Sequence, residues 1–259
     1  MRKAVLLASL SIALVAATSA HVRNVERQVS DYELREACVR WFMPQFVGLH
    51  GEAIDRNPKW KNILLKQDPK VLIPRLEQIR EGGVHFVEYS AISFVLAYVG
   101  HEPAANTRRM FATIDLKQRR PENAYGGHID DPDAFGHDDI IKGFYDSTFQ
   151  LYEHNPRQDV LAEILRFGSD GESGYFKSWI TKQLFLKYPS AVLRVASQQG
   201  LITEVGLHLA YELGDLLPTI RSTLRIMGRD ARSDIRDAAK KLATVFERAV
   251  AGMRIRETT

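Results

Sequence analysis

The chain has 259 residues, with 35 Lys and Arg against 32 Asp and Glu, 45% apolar and 26% charged residues. So many apolar residues exclude an intrinsically disordered chain. With 17 Gly, 10 Pro and one Cys, collagen-like, low-complexity and disulfide-scaffold classes are excluded as well. A formal charge of +3 points only mildly toward an anionic partner.

The first element is an address. Arg2 and Lys3 precede an apolar run from Ala4 to Ala17, interrupted only by Ser9 and Ser11, and Thr18-Ser19-Ala20 supplies the small residues of a cleavage site. This is the layout of a secretory signal peptide. The run is too short for a membrane span, which needs ~20 apolar residues. The expectation is a signal over residues 1–20, a single all-α domain over 21–259, no transmembrane segment, and a periplasmic or secreted location. Both cations of the first twenty residues leave with the signal. The remaining balance is 33 against 32, so the basic excess is partly an export feature. Cys38 is the only cysteine, so an internal disulfide is excluded; within Ala37-Cys38-Val39 it reads as a small buried hydrophobe.

Beyond the signal the pattern is helix after helix. Ser30 and Glu33 form a capping box ahead of Leu34, Val39, Phe42 and Phe46. Asp68-Pro69 supplies a cap and a first-turn proline for a helix that Gly82-Gly83 stops. The segment from Val84 to Val99 is strongly apolar, has helical length and ends at Gly100. Further helices are predicted after Asn155-Pro156, over Gly174–Tyr188 with Phe176, Trp179, Ile180 and Leu184 as its stripe, over Ser190–Gln199, over Thr203–Leu213, and over Arg232–Met253. No hairpin signal separates alternating strands. About ten helices and little or no sheet are expected.

The prolines recur. Pro69, Pro103, Pro156, Pro189 and Pro218 each follow an apolar helical segment and open another, at intervals of 34, 53, 33 and 29 residues. Leu151-Tyr152-Glu153-His154-Asn155-Pro156 aligns without gaps on Leu184-Phe185-Leu186-Lys187-Tyr188-Pro189. A period of this length with two helices per unit is that of an α-solenoid, and the spacing is distantly similar to HEAT-type repeats. An irregular helical-bundle array is the other architecture the pattern allows, because proline favours the first helical turn in any case.

The long interval holds an insertion, residues 119–139. From His128 to Asp139 it contains two His and five Asp with no Lys or Arg. Crowded carboxylates repel unless a cation neutralises them. His128, Asp130, Asp131, Asp133, His137 and Asp138 are therefore the metal-ligand candidates. Imidazole with carboxylate suits Zn, Mn or Fe, and carboxylate with carbonyl suits Ca. An EF-hand register through Asp131, Asp133 and Gly136 fails, because it places Phe135 and Lys142 at ligand positions. The alternatives are a solvated acidic loop in which Asp138 and Asp139 begin the next helix, and a partner-contact loop anchored by Tyr125 and Phe135.

Other chemistry is sparse. His208-x-x-x-Glu212 has the helical spacing used by secreted zinc enzymes of the phospholipase C type, but their N-terminal Trp and further paired motifs are missing. His208 and Glu212 are the catalytic candidates. No nucleophile elbow and no phosphate-cradling glycine loop is present. The segment Arg221–Thr259 carries ten Lys and Arg against five acids. It is either a basic face for an anionic surface or a solvated face with pairs such as Asp237 with Lys241. Basic–aromatic interleaving for nucleic acid is absent. The expected function is an exported helical-repeat interaction module, such as an immunity protein, adaptor or envelope assembly factor, holding an envelope or secreted protein. The alternative is a metal-dependent hydrolase of an envelope component working through the His/Asp loop. The absence of a complete catalytic motif favours the non-enzymatic role.

Overall fold

A computed structural model describes residues 29–42, 58–112, 137–167, 171–211 and 216–257. Among these residues the chain is all-helical, as the sequence predicts, with twelve helices and no strand. They are α1 (Asp31–Phe42), α2 (Lys59–Leu65), α3 (Pro69–Glu81), α4 (Phe86–Tyr98), α5 (Pro103–Phe111), α6 (His137–His154), α7 (Gln158–Arg166), α8 (Gly171–Lys187), α9 (Pro189–Gln198), α10 (Ile202–Ala210), α11 (Leu217–Met227) and α12 (Ser233–Glu257).

The helix boundaries follow local chemistry. The Ser30–Glu33 capping box forms, with Ser30 N–H donating to Glu33 Oε2 at 2.8 Å and Glu33 N–H donating to Ser30 Oγ at 3.2 Å. Asp68 accepts from Lys70 N–H at 2.9 Å, and Pro69 is the first residue of α3. Pro103 and Pro189 also open their helices, Pro218 is second in α11, and Pro156 stands two residues before α7. The recurring prolines are helix starts because the first turn has no use for their missing N–H. Gly100 and Gly200 end α4 and α9 at φ +84° and +71°, a region in which a side chain would be strained. One helix had no strong signal: α2 is seven residues long, begins directly after Pro58 and carries Trp60 as its second residue.

The helices stack in two rows. In one row α4, α6, α8 and α10 each touch the helix two positions on; in the other, α5, α7 and α9 do the same. Both rows end against the long α12, which also carries α11. At the opposite end α1 packs on α4, flanked by α2 and α3. Stacking of this kind buries an apolar face that no single helix pair could bury alone.

The central element is α4. All of its residues but Glu88 are buried, which is why its sequence is apolar all round instead of amphipathic. Phe94 of α4 meets Trp41 edge-on with ring centroids 5.1 Å apart, and Phe42 at 5.8 Å. Phe42 then meets Phe144 of α6 at 5.0 Å, and Phe111 stacks on Phe167 at 4.3 Å. Trp41 Nε1 donates to Gln150 Oε1 at 3.0 Å, tying α1 to α6.

The same core continues to α10 and α12. Gly206 permits their close approach: an added Cβ would stand 2.6 Å from Val245 Cγ1. Gly206→Ala is expected to lower stability by about 1 kcal/mol net, since overpacking costs ~1–3 kcal/mol while helix propensity returns ~1 kcal/mol. Urea denaturation measures this, and Val245→Ala in the same chain should recover the loss. A stabilising Gly206→Ala would refute the close approach.

Candidate functional site

The sequence-derived residues divide by position. Tyr125, His128, Asp130, Asp131, Asp133 and Phe135 lie outside the described residues, as does Glu212. His137 and Asp138 are the first two residues of α6. Among the described residues no group of three or more His, Cys, Asp or Glu is placed to hold a metal ion.

His208 sits on α10, and the structure brings it to α8. The predicted stripe of α8 places Trp179 inside with Ile180 and Leu184. Instead Trp179 is 37% exposed, while Lys177, Ser178, Thr181 and Lys182 are buried beside Ile180 and Leu184. The polar face turns inward because α10 offers partners. Lys177 Nζ donates to Glu204 and to the Phe167 carbonyl, Ser178 Oγ and His208 Nδ1 are 2.8 Å apart, and Lys182 Nζ donates to the Tyr211 carbonyl. The result is a three-rung polar ladder between α8 and α10. Buried polar groups are tolerated when each has a partner of this kind.

A hydroxyl 2.8 Å from an imidazole nitrogen has the spacing of a nucleophile with its base. Here Ser178 is only 2% exposed, so no substrate carbonyl can reach Oγ in this arrangement. The pair acts as an interhelical tie. Sequence reasoning singled out His208 and missed Ser178, since one hydroxyl in an otherwise helical stretch carries no signal. A cue was available in Lys177-Ser178 and Thr181-Lys182, two polar pairs one helical turn apart.

Three large apolar side chains lie exposed along this same pair of helices. Trp179 neighbours Ser178, Leu207 (49% exposed) neighbours His208, and Tyr211 (40% exposed) ends α10. The helix ends there because Tyr211 is extended.

A cleft of about 380 Å³ lies at the other end, between α1 and the start of α4. Val39 and Val87 contribute its apolar part, and exposed Tyr32 stands at its edge. Its charges are matched: Arg35 holds both oxygens of Glu88 at 2.8 Å, and Arg40 donates to Glu36 at 2.9 Å. His85 caps α4 through Nδ1, which accepts from Val87 N–H.

Cys38 is fully buried in this region, and burial pushes its thiol pKa up, with the Glu88 charge adding to the shift. A thiol held protonated and out of water is inert. A maleimide reagent should leave the native protein unlabelled at neutral pH and label it fully in denaturant. Rapid labelling of the folded chain would contradict the placement of Cys38.

No family model matches this chain, and no curated protein or solved structure is significantly similar to it.

Proposed function

We propose that the chain is an exported helical interaction module, of the kind represented by immunity proteins, adaptors and envelope assembly factors, whose partner is another envelope or secreted protein. Export is supported by the charged, apolar and small-residue segments of positions 1–20. A solenoid-like, HEAT-like use of the array is supported by the proline period and by helices that stack two positions apart. The observation that carries the interaction reading is the exposure of Trp179, Leu207 and Tyr211 on the paired helices α8 and α10. Elsewhere in these two helices the large aliphatic positions Ile180, Leu184, Val205 and Leu209 are buried. Exposed aromatic anchors on a rigid scaffold are what interface hot spots require.

The test is a pull-down from native envelope extract with the purified chain and a Trp179→Ala, Leu207→Asp variant. One stoichiometric partner should be retained by the parent and lost by the variant. Equal capture by both, or catalytic turnover by a chain that retains no partner, would sink the proposal.

The second reading is a metal-dependent hydrolase. It rests on the run of His and Asp from His128 to Asp138 without a compensating cation. An ion held there would activate water, with His208 or Glu212 as base. Elemental analysis decides it: a retained ion near one per chain supports the site, and less than ~0.1 per chain contradicts it.

A further inference from the structure

The final helical hairpin carries a charge imbalance that its own contacts leave uncompensated. From Leu217 to Met253 there are eight Lys and Arg against four Asp and Glu, a formal +4. Each acid has an arginine beside it. Glu247 takes Arg221 at 2.6 Å, Asp230 takes Arg232 at 2.8 Å, Asp234 takes Arg194 of α9 at 3.4 Å, and Asp237 lies 3.9 Å from Arg236. The Asp237–Lys241 pair that the spacing predicts is not made. Among the described residues Arg225, Arg229, Lys240, Lys241 and Arg248 have no acidic partner. Arginines elsewhere in the array are held, for example Arg108 by Glu163 and Arg35 by Glu88.

Geometry gathers these cations. The Arg221–Glu247 contact makes α11 and α12 antiparallel across the short turn between them. Arg225 and Arg229 therefore stand level with the Lys240–Thr244 turn of α12. Arg225, Arg229, Lys240, Lys241 and Arg248 are all exposed. Ile226, 60% exposed, follows Arg225 in α11 and lies one turn or less from Arg229, an apolar side chain beside two long cationic stems. Long cationic chains that keep their heads in headgroup water beside an apolar residue entering the interface are a membrane-surface pattern. A purely polyanionic chain would satisfy the charges but would give Ile226 no apolar phase.

We propose that the α11–α12 hairpin docks the protein onto an anionic lipid surface, with Arg225, Arg229, Lys240 and Lys241 against headgroups and Ile226 inserted beside them. The probe is co-sedimentation with vesicles of equimolar phosphatidylglycerol and phosphatidylcholine, against phosphatidylcholine alone, using both the full chain and the chain from His21 onward. The expected result is partition onto the anionic vesicles at least ~100-fold above the neutral ones, and its loss when salt is raised from ~0.05 to ~0.5 M.

Replacing the four cations by Gln, with helicity checked by circular dichroism, should cut partition more than a hundredfold, at about fivefold per charge. Ile226→Ser should cut it several-fold with the charges intact. Equal partition onto both vesicle types, or a fourfold Gln variant that binds as the parent does, would overturn the proposal. Binding to polyglutamate as tight as to anionic vesicles, with no effect of Ile226→Ser, would also overturn it and would favour an acidic protein.

Discussion

Phe94→Ala is expected to cost about 3–5 kcal/mol of folding stability, the largest loss of any single substitution in the array. Phe94 has no exposed surface, and it is carried by a helix of which every residue but Glu88 is buried. Its ring touches Trp41, Phe42 and Tyr98, with centroids 5.1, 5.8 and 5.9 Å away. Removing it leaves a cavity that rigid neighbours on α1 cannot fill, and edge-to-face aromatic contacts worth ~0.5–1.5 kcal/mol each are lost with it. Urea denaturation followed by far-ultraviolet circular dichroism measures the loss. Ile226→Ser, at an exposed position, should stay within about 0.5 kcal/mol in the same assay. A loss below about 1 kcal/mol for Phe94→Ala would mean that α4 is not the centre of the fold.

Glu204→Ala is expected to cost about 3 kcal/mol, for a different reason. Lys177 is 1% exposed, and its ammonium is balanced by the Glu204 carboxylate. Removing the carboxylate takes the Glu204 counter-charge from a buried ammonium that also donates to the Phe167 carbonyl, and uncompensated buried charges typically cost ~3–5 kcal/mol. Glu204 is itself partly exposed, so water can reach the gap and the loss falls at the lower end. Replacing both partners, Lys177→Met with Glu204→Leu, should return stability to within about 1 kcal/mol of the parent. A neutral Glu204→Ala would refute the polar ladder as a structural tie between α8 and α10.

The helical class, the caps and the row-forming prolines were legible in the sequence because they are local. Ser30 with Glu33 and Asp68 with Pro69 specify helix starts within one turn, and their bonds form as the residue types require. The burial of α4 was legible from its strongly apolar sequence, with apolar residues on every side of the helix. What depends on a partner helix was not legible. The stripe counted on α8 placed Trp179 inside, and nothing local reveals that Glu204, His208 and the Tyr211 carbonyl draw Lys177, Ser178 and Lys182 inward instead. The same holds for the basic end: spacing offered Asp237 to Lys241, whereas Asp237 lies nearest Arg236 and leaves Lys241 without an acid. Residues 119–136, which carry most of the metal-ligand candidates, lie outside the described residues, so that part of the site rests on sequence alone.

A photocrosslinking residue placed at Leu207 in cells expressing the protein tests the interaction reading most directly. Val71 of α3, also exposed, serves as the control position in a different part of the array. The account predicts one discrete crosslinked product from Leu207, recovered from the periplasmic or secreted fraction and absent from Val71. No product at Leu207, or the same products from both positions, would contradict a partner seated on α8 and α10.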